Sequence, residues 1–482
     1  MLKSGAILGK VINTWTQKPI FLMMAGVMLS QMAMADKATL LEKDQDALQA
    51  RVDLIQQAKT EINAEYFYVG SDPQSMGGIA LLLNAAQHGV KVKVIIDDLE
   101  NHVPRAIFSI LDQMGKDKEG HQNFEVRTYN PIGINLLRSS HRDHAKILVA
   151  DSKRVISGGR NVGSEYFGLN KNRNFEDLDV IAEGDVARQA HDNFMQVWES
   201  DLIFKIPLYQ YSEGKVAEDG CVGQGDQQHC QFIREDAIKK IAEFKTNLAR
   251  VLEEIQAKQD DDIVNNEDGK DWFSDRENSI QAEFISHDPK VFNSDEHDLL
   301  SVRLLEILKN AQTDANIVSP YLIPTPALMA VFKELKKRGV RVRVITNSLQ
   351  STDNLFAQAG YRSLRKEMIN MGLEIYEYKG PNTVHAKTAV VDNKIALIGT
   401  FNLDPRSTHL NREVAIKMTD SNNNKIVDEL TSSIEVFRSK STLIAKDGIE
   451  YNADRQFVGV SKKKKIILKV LNILMPFIKS QL

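Results

Sequence analysis

The sequence predicts an α/β protein built as two similar units in one chain. Three observations carry that prediction: the length, a strand–helix–strand order that recurs, and a histidine–lysine motif that occurs twice. At 482 residues the chain is longer than one small core supports, so two domains are expected. "GVKVKVIIDDLEN" at 89–101 matches "GVRVRVITNSLQS" at 339–351. Each alternates apolar and basic residues and then turns polar, as a strand running into a loop does. The helical stretches "GGIALLLNAAQH" and "ALMAVFKELKKR" precede them, and the strand-like "EINAEYFYVG" and "ANIVSPYLIP" come earlier still. That order, found twice, predicts largely parallel sheets covered by helices.

The repeat continues into "HAKILVADSKRVISGGRNVG" and "HAKTAVVDNKIALIGTFNLD", beginning at His144 and His385. Both keep His-Ala-Lys, an Asp five residues after the Lys, a small-residue pair, and an Asn ten residues after that Asp. The positions are His144, Lys146, Asp151, Gly158, Gly159 and Asn161 against His385, Lys387, Asp392, Gly399, Thr400 and Asn402. In an alternating strand the His and Lys share a face, while the Asp falls at the following turn. A single copy is a weak signal, since a surface strand with two polar residues explains it. A second copy with the same companions, at the same place in a structural repeat, is not explained that way. The two units are expected to pack about a pseudo-twofold axis, as an isologous dimer does.

Domain boundaries follow from the repeat: a first unit at 36–204, a connector or insertion at 205–285, a second unit at 286–445 and a basic C-terminal segment at 446–482. The connector holds an acidic, Gly/Asn-rich stretch, "AKQDDDIVNNEDGKDW", read as an exposed loop, beside a helical stretch suited to the outside of the protein. Cys221 and Cys230 are the two cysteines, and with His229 they fall short of four zinc ligands. A local structural disulfide is the favoured reading in an exported protein. Export is suggested by residues 1–35, where three lysines precede an apolar run ending in Ala33-Met34-Ala35. That pattern reads as a signal peptide, with an uncleaved membrane anchor as the alternative. Net charge is −4, which argues against a basic nucleic-acid-binding surface.

Two histidines facing each other across a pseudo-twofold suit a phosphodiester. One attacks phosphorus and forms a phosphohistidine; the other protonates the leaving alcohol and then activates water or a second alcohol. Lys146, Lys387, Asn161 and Asn402 would hold the non-bridging oxygens. The scheme calls for no metal and no cofactor. Each imidazole needs a carboxylate on its other nitrogen. Glu413 is the candidate in the second half; Glu176, Asp177 and Asp179 are those in the first, each also explicable as a strand-edge acid.

With N411-x-E413 added, the paired motifs resemble the HKD motifs of the phospholipase D superfamily over nearly the whole chain beyond residue 35. The resemblance implies two α/β/α sandwich units, packed as a pseudo-twofold internal dimer in a monomeric chain, with one active site at their interface. It implies His144 as nucleophile and His385 as general acid/base. The motif aspartates Asp151 and Asp392 are counted with the site, although in this family they are mainly structural. Glu413 is expected to support its own half's histidine, with Asp177 favoured as its first-half counterpart. Thr400 and Gly159 complete the phosphate-binding set, and Gly159 departs from the usual hydroxyl.

The ending "SKKKKIILKVLNILMPFIKSQL" carries six lysines and no acid. On a helix, Lys462, Lys465, Lys469, Asn472 and Lys479 line one stripe, while Ile466, Ile467, Val470, Leu471, Leu474, Phe477 and Ile478 line another, with Pro476 as an expected kink. That pattern suits a peripheral contact with an anionic membrane surface, and it is too short and too charged to span one. A C-terminal helix packed on the protein is the plainer alternative. The segments "GGRNVGSEYF" and "FEDLDV", with this ending, are similar to bacterial class C cardiolipin synthases. The expected function is therefore phosphodiester chemistry on glycerophospholipids in the bacterial envelope or outside the cell, by hydrolysis to phosphatidic acid or by phosphatidyl transfer. An exported nuclease and an inactive membrane scaffold are the rival readings.

Overall fold

The computed structural model describes residues 36–99, 114–131, 140–205, 280–288, 299–419, 424–451 and 460–478, with shorter stretches between them. Residues 1–35, expected as a signal peptide or anchor, lie outside the described residues, as do Cys221, Cys230 and most of the connector.

In the first half the elements run β1 (Lys37–Leu41), α1 (Asp44–Gln57), β2 (Glu61–Tyr66), α2 (Pro73–Gln87), β3 (Lys91–Asp97) and β4 (Phe124–Tyr129). They continue with β5 (Arg142–Asp143), β6 (Lys146–Ala150), β7 (Arg154–Gly158), β8 (Phe175–Glu176), β9 (Asp179–Glu183), α3 (Asp185–Trp198) and β10 (Ile203–Lys205). A small hairpin, β11 (Tyr211–Ser212) with β12 (Lys215–Val216), stands between the halves in sequence. The second half runs β13 (Gln281–Ser286), α4 (Leu299–Lys309), β14 (Asp314–Val318), α5 (Pro326–Lys337), β15 (Arg341–Asn347), α6 (Leu355–Asn370) and β16 (Glu374–Tyr378). It ends with β17 (Thr383–Val384), β18 (Lys387–Val391), β19 (Ile395–Gly399), α7 (Pro405–His409), β20 (Asn411–Arg412), β21 (Val414–Thr419), α8 (Lys425–Ser439), β22 (Ser441–Lys446), β23 (Ile449–Glu450) and α9 (Lys462–Ile478).

The sheets have matching orders, β1-β9-β7-β6-β2-β3-β4-β10 and β13-β21-β19-β18-β14-β15-β16-β22-β23. Strand β13 already belongs to the second sheet, so the connector ends before Gln281. The expectation of largely parallel sheets is corrected here. Within the two large sheets only β2-β3-β4 and β14-β15-β16 pair in parallel. The motif strands β6 and β18 instead pair antiparallel on both sides. The cause is local. Asp151-Ser152 and Asp392-Asn393 are successive left-handed residues, with φ of 48–54°. Such pairs turn a strand straight back on itself and leave no room for a helical crossover.

The described residues from 36 to 478 pack as one compact unit. Leu54, Ile62, Leu83 and Ile96 belong to a core where α1 and α2 cover the outer face of the first sheet. Ile317, Phe332, Val344 and Leu373 do the same beneath α5 and α6 on the second. Between the sheets lies a third core, shared by both halves, with Ile147, Val180 and Val186 meeting Val390, Ile398, Val414 and Leu430. Burial of this shared layer joins the halves into one body.

Candidate active site

Each motif histidine sits at the entry to a buried central strand. All five residues of β6, and all five of β18, are buried. Just upstream, short strands exchange between the halves: β5 pairs with β20, and β17 with β8. The His144 amide donates to the Arg412 carbonyl at 2.9 Å, and the His385 amide donates to the Glu176 carbonyl at 2.8 Å. Each exchange delivers a carboxylate from the opposite half. His144 Nδ1 lies 2.8 Å from Glu413 Oε2, and His385 Nδ1 lies 2.6 Å from Asp177 Oδ2.

This corrects the expected pairing of Glu413 with its own half's histidine. The acids cross over, because the residue after β20 faces the residue after β5 and the residue after β8 faces the residue after β17. Of the first-half candidates, Asp177 is the one brought to a histidine. Glu176 binds Asn382 and Lys440 instead, and Asp179 is spent on Arg51 and Arg160.

The two pairs differ in character. Glu413 also accepts from the Thr400 hydroxyl, from Ser407 Oγ at 2.6 Å and from Asn411 Nδ2 at 3.4 Å. Burial still pushes its carboxyl up to about 7. Burial acts on Asp177 in the same direction, but the charges of His385, Lys387 and Arg160 outweigh it and hold the carboxyl at about 2. Burial, with the lysine charges added, keeps His144 well below the usual imidazole range. His385 is lowered too, by burial and Lys387, with Asp177 opposing.

Burial and the neighbouring Lys387 bring Lys146 to about 7, and burial brings Lys387 to about 8. Lys146 Nζ donates to the His144 carbonyl at 2.7 Å, and Lys387 Nζ reaches the His385 carbonyl and, at 2.9 Å, His385 Nε2. Among the described residues no side chain caps His144 Nε2.

Asn161 is buried, donates to the Tyr166 hydroxyl at 2.9 Å and accepts from the Tyr68 amide. Asn402 is buried as well, and its Oδ1 has no partner among the described residues. Gly159 lacks a hydroxyl for a steric reason, since a Cβ there would stand 2.0 Å from Asp177 Oδ1. The Asp177 carboxyl fills space that on the other side belongs to the Thr400 side chain. Asp151 and Asp392 are not brought to the histidines. They sit at the far ends of β6 and β18, where Asp151 accepts the amides of Lys59, Thr60 and Glu61 and Asp392 those of Gln312, Thr313 and Asp314.

Several residues around the site were not singled out from sequence. Phe67 stands edge-on to His144 at 4.9 Å, and Phe175 and Tyr166 flank His385 at 4.9 and 5.5 Å. Ser407 follows the second motif by chain position, but nothing in its sequence context points to Glu413. The C-terminal helix divides its apolar residues between two faces. Leu468, Leu471 and Met475 are buried with Leu349 and Ala359, whereas Ile466 and Val470 remain 63% and 53% exposed. The alternative of a packed helix therefore accounts for one face, including Leu471 from the expected lipid stripe.

Comparison with known proteins fits this arrangement. The family described as "Cardiolipin synthase, PLD-like domain" matches residues 52–198 and 304–437. Cardiolipin synthase C of Escherichia coli (strain K12) is 29% identical over 422 residues, covering 81% of this chain and 82% of that protein. A cardiolipin synthase of Clostridium perfringens (strain SM101 / Type A) is 25% identical over 382 residues, covering 78% and 65%. In fold, the chain is similar to the phosphatidylserine synthase of Haemophilus influenzae Rd KW20, with a TM-score of 0.64 at 15% identity over 93% of this chain and 97% of that one. With both of its halves matched, the chain belongs to the cardiolipin synthase family of phospholipase D-like enzymes.

Proposed function

We propose that this enzyme transfers a phosphatidyl group between glycerophospholipids through a phosphohistidine on His144. The observation that carries the reading is the unequal pair of crossed histidine–carboxylate contacts. A neutral, buried His144 with an uncapped Nε2 suits nucleophilic attack on phosphorus, and Glu413 on Nδ1 orients the lone pair. An ionised Asp177 suits support of a protonated His385, which passes its Nε2 proton to the leaving alkoxide. In the second half-reaction His385 takes a proton from the acceptor alcohol, whose oxygen displaces His144 from phosphorus. Lys146 and Lys387 meet the charge on the phosphoryl oxygens, with the two asparagines beside them.

The names of the relatives favour a lipid alcohol as acceptor over water. The deciding experiment is lipid product analysis with phosphatidylglycerol, in the presence and absence of added glycerol. Cardiolipin and free glycerol are expected, and His144→Ala should abolish both. Phosphatidic acid as the sole product would make the enzyme a hydrolase. Turnover of DNA and not of lipid would favour the nuclease reading, and full turnover by His144→Ala would overturn the phosphohistidine.

The C-terminal helix supports a peripheral position at an anionic bilayer. Ile466 and Val470 are exposed beside Lys462, Lys463 and Lys469. No helix among the described residues is long and apolar enough to cross a membrane. In vesicle sedimentation, Ile466→Ser/Val470→Ser should weaken binding at all salt concentrations, and reversing the three lysines should remove its salt dependence. Unchanged binding by both variants would remove this helix from the membrane contact.

A further inference from the structure

Helices α1 and α2 do not close fully over the first sheet. Between them and strands β2, β3, β4 and β6 lies a cavity of about 510 Å³. Its walls are apolar: Ile55, Tyr66, Ile96, Phe124, Val126 and Leu148 are among them. The one charged residue in the lining, Arg51, is paired with Asp179 at 2.9 Å. Leu48 and Val52 on α1 and Leu81 and Leu82 on α2 are only half-buried, and Gln49 and Gln56 beside them are exposed. These residues rim a mouth between the two helices.

The cavity is maintained by sequence choices that a packed core does not call for. Gly77 and Gly78 stand side by side inside α2, and glycine is the costliest residue after proline in a helix interior. A Cβ on Gly77 would meet nothing within 4 Å, and one on Gly78 only Val162 at 3.9 Å. The other half provides a direct comparison. Leu328 precedes Gly339 by eleven residues, as Gly78 precedes Gly89, and Phe332 corresponds to Leu82 in the same way. Leu328 and Phe332 are buried in the second half's outer core. The same place in the fold is filled on one side and open on the other.

The cavity also adjoins the phosphate-binding residues. Along β6, Leu148 is the next residue after Lys146 on the same face, and Tyr66, which lies opposite Lys146 in the ladder, lines the cavity. Val162, another wall residue, follows Asn161.

We propose that this cavity binds one fatty acyl chain of a membrane lipid, entering between α1 and α2. An apolar cavity of about 150 Å³ accepts a six-carbon ring, so in proportion this one has room for roughly twenty carbons, enough for a palmitoyl chain. A lining whose one charge is already paired suits a neutral chain. The inference rests on the lipid reading of the active site for the source of the chain, but not for its test.

That test is direct binding of a pyrene-labelled long-chain fatty acid to the purified full-length enzyme, with palmitic and hexanoic acids as competitors. Saturable binding of one probe per chain is expected, displaced by palmitic acid at least tenfold better than by hexanoic acid. Gly78→Leu copies the filled half and favours the helix, so it should melt no lower than the wild type while binding the probe at least tenfold more weakly. His144→Ala should bind the probe normally, which separates failure of the cavity from failure of the chemistry. Turnover then identifies the source. If the chain belongs to the substrate, Gly78→Leu raises KM for dipalmitoyl but not dihexanoyl phosphatidylglycerol; if it belongs to a second lipid, both KM values hold while probe binding is lost. Absence of saturable binding in the wild type, or undiminished binding by a folded Gly78→Leu, would overturn the proposal.

Discussion

At the scale of single residues the site is asymmetric, and that asymmetry assigns the histidines different steps. Glu413 sits on His144 and Asp177 on His385, each from the other half. If His385 protonates the leaving group, its side of the site should matter less when that group needs no proton. Asp177→Asn and His385→Ala are therefore expected to cut turnover of phosphatidylglycerol by about 10²–10⁴-fold and to recover most of it on a p-nitrophenyl phosphodiester. Glu413→Gln and His144→Ala should recover little. The opposite pattern in a single-turnover comparison would exchange the roles. The residues of this site were legible because the motif occurs twice, so that His144, Lys146 and Asn161 each had a counterpart. Their crossing was not legible. It depends on pairings between two-residue strands 269 positions apart, such as Arg142-Asp143 with Asn411-Arg412, and such short strands carry no periodic signal.

At the scale of elements, alternation and helical spacing indicated the strand–helix–strand core of each half, but not the direction of the strands beyond it. The strand–helix–strand order implies parallel pairing only where a helix makes the connection. The motif strand leaves by a tight turn instead, and Asp151 is the residue that secures it. Its carboxylate accepts three backbone amides from the segment leading into β2, and Asp392 does the same before β14. The aspartate of the motif is thus a joint between two strands. Asp151→Ala should cost about 1–3 kcal/mol in denaturant unfolding while leaving kcat of the folded enzyme within a factor of about two. Lys146→Ala, a residue of the same strand's other end, should instead lower kcat by about 10²-fold or more. A large loss of kcat in a fully folded Asp151→Ala enzyme would return that aspartate to the chemistry.

At the scale of the whole molecule, neither half holds a complete site, so the interface between them must hold its geometry. Arg412 is a buried cross-piece: its guanidinium binds Glu65, Asp143 and Asn193 of the first half, and its carbonyl accepts the His144 amide. Burial raises the Glu65 carboxyl well above its usual range, and Arg412 is the charge that pulls it back. Arg412→Leu would leave two buried acids without their cation, a loss of about 3–5 kcal/mol. Glu65 can escape part of that by taking a proton. A folded-state pKa raised above the unfolded one gives stability that is present at low pH and lost as pH rises through the folded value. The deficit of Arg412→Leu against wild type should therefore grow only above the wild-type folded value of Glu65, which already lies well above its usual range, and replacing Glu65 by leucine as well should remove most of that slope. If the single variant unfolded within about 1 kcal/mol of wild type at neutral pH, the two halves would be held by their shared apolar layer alone, and the crossed acids would owe their placement to packing rather than to this ionic tie.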